Sequence, residues 1–103
     1  MADKYLIYVA CGSAAASAAL ARRRLIDELD KRKIKANVEV HRILELPGQV
    51  ANRKPDVVVV TAGQAPASLP DDVLIVQGIP LMTGFGIDGL VDDMLKSLKD
   101  RES

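Results

Sequence analysis

The sequence predicts an α/β fold: a four-stranded parallel sheet in a three-layer αβα arrangement, with residues 1–103 forming one domain. Three observations predict it. Short apolar runs alternate with helical patterns along the chain, which is the order of a parallel α/β sheet. Two of those runs, Val57-Val58-Val59-Val60 and Val73-Leu74-Ile75-Val76, are apolar at every position and so call for cover on both faces. No repeat, linker or low-complexity segment divides the 103 residues, a length that suits one core.

The elements follow in order. Residues 5–10, Tyr-Leu-Ile-Tyr-Val-Ala, read as a buried first strand. A helical pattern then covers residues 14–32. Its apolar stripe is Ala14, Ala18, Ala21, Leu25 and Leu29, and Leu20 is also assigned to the core. Arg23, Asp27 and Lys31, and likewise Arg24, Glu28 and Arg32, recur at four-residue steps and read as a solvated, ion-paired face. Residues 37–41 alternate around Val38 and Val40 and predict a second strand at an edge. Ile43 to Leu46 suggests a short helix or turn, broken by Pro47-Gly48. The two apolar runs are the third and fourth strands, and residues 61–72 between them read as loop. Ile87, Leu90, Val91, Met94, Leu95 and Leu98 mark a final amphipathic helix, with Met94 in the core.

Composition narrows the function. Fourteen basic residues balance fourteen acidic ones, which excludes nucleic-acid binding driven by bulk charge. A single cysteine forms no internal disulfide and fits a reducing compartment. The first apolar run is too short for a membrane span and lacks a signal-peptide layout. A cytoplasmic protein is expected, without direct membrane insertion.

In sheets of this kind, ligands sit beyond the carboxyl ends of the strands. Here those positions are residues 11–17, 41–44, 61–64 and 77–86. They hold the only cysteine, Cys11, and the only histidine, His41. Cys11 ends the first strand, and Gly12, Ser13, Ala14, Ala15, Ala16 and Ser17 open the first helix. A helix start offers unpaired N–H groups and the positive end of the macrodipole, which favour a thiolate and an oxyanion alike. Small residues admit the anion, and Ser13 and Ser17 add hydroxyl donors. The chemistry implied is a nucleophilic thiolate taking a phosphoryl group in a backbone-amide cradle. A small buried hydrophobe is the alternative role for a lone cysteine.

Spacing tests the other cysteine chemistries. A dithiol motif lacks its second cysteine, and a zinc site lacks enough histidines and cysteines. No metal and no cofactor are expected. A tyrosine-phosphatase loop requires an arginine six residues after the cysteine, where this chain has Ser17. A Cys11–His41 hydrolase stays open but nothing in the sequence orients the pair.

Four blocks carry a resemblance. They are Ile7-Tyr8-Val9-Ala10-Cys11-Gly12; Val38-Glu39-Val40-His41-Arg42; Val59-Val60-Thr61-Ala62; and Gly78-Ile79-Pro80-Leu81-Met82-Thr83-Gly84-Phe85-Gly86-Ile87. In this order they resemble the galactitol-type enzyme IIB of the phosphoenolpyruvate-dependent sugar phosphotransferase system, with a lactose/cellobiose-like IIB fold. The resemblance implies that Cys11 takes a phosphoryl group from a phosphohistidine of a IIA partner. It implies transfer onward to a sugar or sugar alcohol held by a membrane IIC partner. It makes residues 12–17 the phosphate loop and His41, Arg42 and Thr83 candidates for its surroundings. One departure is Ser17-Ala18-Ala19, where the family loop usually carries a run of hydroxyls. It leaves open a second reading, a IIB-like regulatory or binding module without phosphotransfer.

Overall fold

The computed structural model describes residues 5–11, 15–61, 69 and 73–102; for Cys11, residues 15–18 and residues 101–102 it describes the backbone alone. The elements are β1 (Tyr5–Cys11), α1 (Ala15–Lys31), β2 (Ala36–Arg42), a 3-10 turn (Ile43–Glu45), α2 (Leu46–Asn52), β3 (Val57–Val60), β4 (Leu74–Gln77), α3 (Ile79–Thr83) and α4 (Ile87–Glu102). The four strands form one parallel sheet in the order β2-β1-β3-β4. The three-layer α/β prediction holds.

Strand periodicity divides the core into two halves. Tyr5, Ile7 and Val9 of β1 point to the same side as Val57 and Val59. There they meet Ala21, Leu25 and Leu29 of α1, Leu81 of α3, and Leu90, Val91, Met94 and Leu98 of α4. Tyr8 and Ala10 point the other way with Val58 and Val60, against Leu46 and Val50 of α2 and against Leu69 and Val73. All four residues of β3 are fully buried, as a valine run with no polar face requires.

Several local expectations change. The fourth strand begins at Leu74 and lies at the sheet edge, so Ile75 is 38% exposed instead of covered on both faces. Pro47 does not break a helix: it stands in the first turn of α2, where the missing N–H costs nothing. A short helix, α3, forms at Ile79–Thr83, a stretch to which the sequence assigns no element. Leu20 is not core but 46% exposed. The Arg24-Glu28-Arg32 row is not a solvated face either. Arg24 Nη1 donates to the carbonyls of Leu81 (2.8 Å) and Met82 (3.0 Å). Arg32 pairs with Glu28 at 3.0 Å and with Asp92, and donates to the Asp88 carbonyl at 3.0 Å. This row is the polar seam between α1 and the helices α3 and α4. Arg23, Asp27 and Lys31 are exposed as predicted.

The end of α1 carries a cost. Ile34 N–H donates to Leu29 O and Lys33 N–H to Asp30 O, both at 3.0 Å, the paired bonds of a Schellman stop. The left-handed position is filled by Lys33, at φ 59°, where glycine is the usual residue. Lys33 is exposed, and its side chain has nothing to lose by truncation to hydrogen. Lys33→Gly is therefore expected to stabilise the protein by about 0.5–1 kcal/mol, after the added freedom of the unfolded chain is subtracted. Urea unfolding measures it; an unchanged or lower midpoint contradicts the assignment.

Candidate functional site

The chain leaves β1 towards β2 on one side and later returns to place β3 on the other. The carboxyl ends of β1 and β3 therefore flank the topological switch point, the place where open α/β sheets bind ligands. The residues there are Cys11, the last of β1, and Thr61, the first after β3.

Thr61 is buried and holds this point together. Its backbone N–H and its hydroxyl both donate to the carbonyl of Ala10, each at 2.9 Å. The peptide immediately before Cys11 is thus fixed from β3. Sequence reasoning noted Thr61 as part of a block but not this role. The available signal was a hydroxyl residue directly after a fully apolar strand, which must find an internal partner if it stays buried.

The sheet register pairs Cys11 with Arg42 and Ala10 with His41. Arg42 is exposed and thus stands one strand spacing, about 4.8 Å, from the backbone of Cys11. Its N–H donates to Glu45 Oε1 at 3.2 Å, which starts the 3-10 turn. Beyond Cys11, α1 runs for 17 residues, with no acidic residue in its first turn to compete for an anion. The first-turn residues Ala15, Ala16 and Ser17 are helical. Gly12, Ser13 and Ala14 lie outside the described residues, as do the side chains of Cys11 and Ser17.

His41 points to the α2 side of the sheet. Its Nε2 lies 3.2 Å from Glu39 Oε1, and its ring meets Tyr8 edge-on with centroids 4.5 Å apart. Glu39 also pairs with Arg53 at 3.1 Å and accepts from Asn37 at 3.1 Å. Tyr8 donates its hydroxyl to the Arg53 carbonyl at 2.5 Å. This group ties β1 and β2 to the chain that follows α2. Burial raises the Tyr8 phenol above its ordinary value; Glu39 adds to the rise and Arg53 opposes it. A raised folded value means that the neutral phenol's contribution is whole below about pH 10 and is lost as pH climbs through the folded value. Tyr8→Phe is expected to lose about 1 kcal/mol at neutral pH through the missing hydrogen bond. It should also lose less stability than the parent between about pH 9 and 11. Urea midpoints at both ends of that range check the sign; a parallel fall in both proteins refutes it.

Thr83 ends α3, with its hydroxyl engaged in its own turn: it donates to Pro80 O at 3.5 Å and accepts from Phe85 N–H at 3.2 Å. Gly84 and Gly86, at φ 84° and 78°, supply left-handed angles on either side of Phe85. Gly78 has an ordinary φ but no room. A Cβ there would lie 2.5 Å from Val59 Cγ1. Pro80 falls in the first turn of α3. The Gly-x-Pro block thus combines a close approach at the end of β4 with a helix start.

No described helix is long and apolar enough to cross a membrane. No curated protein gives a significant match to the chain. A family model does: residues 6–91 match the phosphotransferase-system, lactose/cellobiose-specific IIB subunit. That span includes Cys11, all of the sheet except Tyr5, and the start of α4. The chain belongs to the lactose/cellobiose-specific IIB subunit family, phosphotransferase components of the sugar phosphotransferase system.

Proposed function

We propose that Cys11 is the phosphoryl carrier of a IIB subunit acting in the cytoplasm. The observation that carries this reading is the place of Cys11 at the carboxyl end of β1, on the switch point and ahead of a long helix without acidic residues in its first turn. The Cys11 thiolate attacks the phosphorus of a phosphohistidine on a IIA partner. The phosphorus–sulfur bond forms, the phosphorus–nitrogen bond breaks, and its electron pair stays on the imidazole. In the second step a hydroxyl oxygen of the sugar, bound by a membrane IIC partner, attacks phosphorus. The phosphorus–sulfur bond breaks and returns the thiolate, while the hydroxyl proton leaves to a base on that partner.

Backbone N–H groups of residues 12–17 stabilise the phosphoryl group in flight. Arg42 adds positive charge from the neighbouring strand, and Thr61 keeps the peptide before Cys11 in place. His41 and Thr83 are supporting residues of the surrounding edge. The acceptor is a sugar or sugar alcohol, galactitol-like by the resemblance of the four sequence blocks. Intact mass after incubation with phosphoenolpyruvate, the general phosphotransferase proteins and a IIA subunit from the same source tests the reading. The expected result is a gain of one phosphoryl group, absent in Cys11→Ala. No gain with a phosphorylated IIA subunit in the tube refutes it and favours a non-catalytic IIB-like module.

A further inference from the structure

The chain has three aromatic residues. Tyr5 and Tyr8 are buried, whereas Phe85 is 82% exposed. Its surroundings are uncommonly well fixed for an exposed side chain. Left-handed glycines stand on both sides of it. Its N–H is bound by the Thr83 hydroxyl, and Gly84 N–H donates to Pro80 O at 2.8 Å. From α1, Arg24 holds the carbonyls of Leu81 and Met82, and its guanidinium lies against Gly84. The turn is thus pre-organised around a largely exposed aromatic ring. Two other exposed apolar side chains stand on the elements that Arg24 joins: Met82 on α3, and Leu20, one helical turn before Arg24 on α1. A rigid, exposed aromatic flanked by aliphatic side chains is the make-up of an interface anchor, because little ordering entropy is left to lose on binding.

The charges indicate which partner. Of the three consecutive arginines of α1, Arg24 is held on α3 beside the patch and Arg23 is exposed, whereas Arg22 donates to the Val38 carbonyl at 2.8 Å on the β2 side; residues 79–86 carry no charge, and Asp88 is the first acid after them. A phosphohistidine donor arrives with a dianionic phosphoryl group, whereas the acceptor presents a neutral hydroxyl. A basic rim favours the first. We infer that Phe85, with Met82 and Leu20, is the anchor on which the IIA phosphoryl donor docks. The inference rests on the phosphocarrier reading for the identity of that partner.

Calorimetric titration with the unphosphorylated IIA subunit from the same source reads docking without any chemistry. Phe85→Ala is expected to weaken binding at least about tenfold, with Phe85→Leu in between. Leu44→Ala, which removes an even more exposed apolar side chain after β2, should stay within about twofold. In phosphoryl uptake, Phe85→Ala should raise KM for phosphorylated IIA and leave kcat. Sugar phosphorylation by the preloaded chain on vesicles holding IIC should be unchanged. Circular dichroism confirms that the exposed substitution leaves the fold intact.

Equal affinities of parent and Phe85→Ala overturn the inference, as does an equal loss in Leu44→Ala. A loss confined to the vesicle step assigns the patch to the membrane partner instead. A parent dimer that Phe85→Ala dissolves, with IIA binding unmoved, assigns it to a second copy. Failure of the carrier reading is seen separately: the parent then binds IIA and gains no phosphoryl group. A parent that does not bind IIA at all refutes both.

Discussion

Cys11→Ser is expected to stop sugar phosphorylation in a reconstituted system, with a fall of at least about 10³-fold, while thermal unfolding stays close to that of the parent. The reason is the nucleophile. A thiol ionises near neutral pH and does so more readily at a helix start, whereas a serine hydroxyl does not. The substitution changes one atom at the end of β1 and leaves every described core contact in place. The Thr61 bonds go to Ala10 O, not to the cysteine, so the local backbone keeps its anchor. Sugar phosphorylation at more than a few per cent of the parent rate places the carrier elsewhere.

Gly78→Ala is expected to lower stability by about 2–3 kcal/mol, which for a domain of this size lowers Tm by roughly 10 °C or more. The added Cβ meets Val59 Cγ1 at 2.5 Å, and Thr61 Cγ2 and Val60 O at 3.2 Å. Val59 is fully buried and β-branched, so its rotamer has little freedom to give way. The Gly78 N–H also donates to Val60 O at 2.6 Å, so the backbone has no slack in that direction. The cause is testable by a second substitution. Val59→Ala removes the offending methyl, so Gly78→Ala should cost much less in that background than in the parent. Equal costs in both backgrounds contradict the steric account. Because Thr61 is among the residues pushed, Gly78→Ala should also slow phosphoryl uptake.

Most of the sheet was legible because parallel strands here are written as short apolar runs. Val38 and Val40 marked β2 as an edge strand with one covered face, and the valine run marked β3 as buried on both. The same pattern misled at β4. Leu74, Ile75 and Val76 are as apolar as β3, yet hydropathy does not record that β4 is an edge strand among the described residues. The seam of Arg24, Glu28 and Arg32 was misread for a similar reason. Four-residue charge spacing is the same whether a helix face meets water or carbonyls and carboxylates of a neighbour. Only the placement of α3 and α4 tells them apart. α3 itself has only five residues, Ile79–Thr83, too few for a helical period to show in the sequence.

At the site, strand ends and register were legible. A cysteine and an arginine that both end strands come to lie on neighbouring strands once the sheet forms. What the Thr61 hydroxyl binds was not legible, because that bond joins residues 51 positions apart. The exposure of Phe85 was hidden too. One phenylalanine in a chain of this length is ordinarily taken as core. The positive φ of its flanking glycines and the Arg24 contacts mark it as a held surface group.

The central claim concerns one bond, between phosphorus and the sulfur of Cys11. The measurement that tests it most directly is a phosphorus–proton correlation NMR spectrum of the chain after loading from a phosphorylated IIA subunit. The account predicts one protein-bound phosphorus signal, coupled through sulfur to the Cys11 β-protons and lost when a sugar substrate and the membrane partner are added. A phosphorus signal coupled to His41 or to a serine, or no protein-bound phosphorus at all, contradicts it.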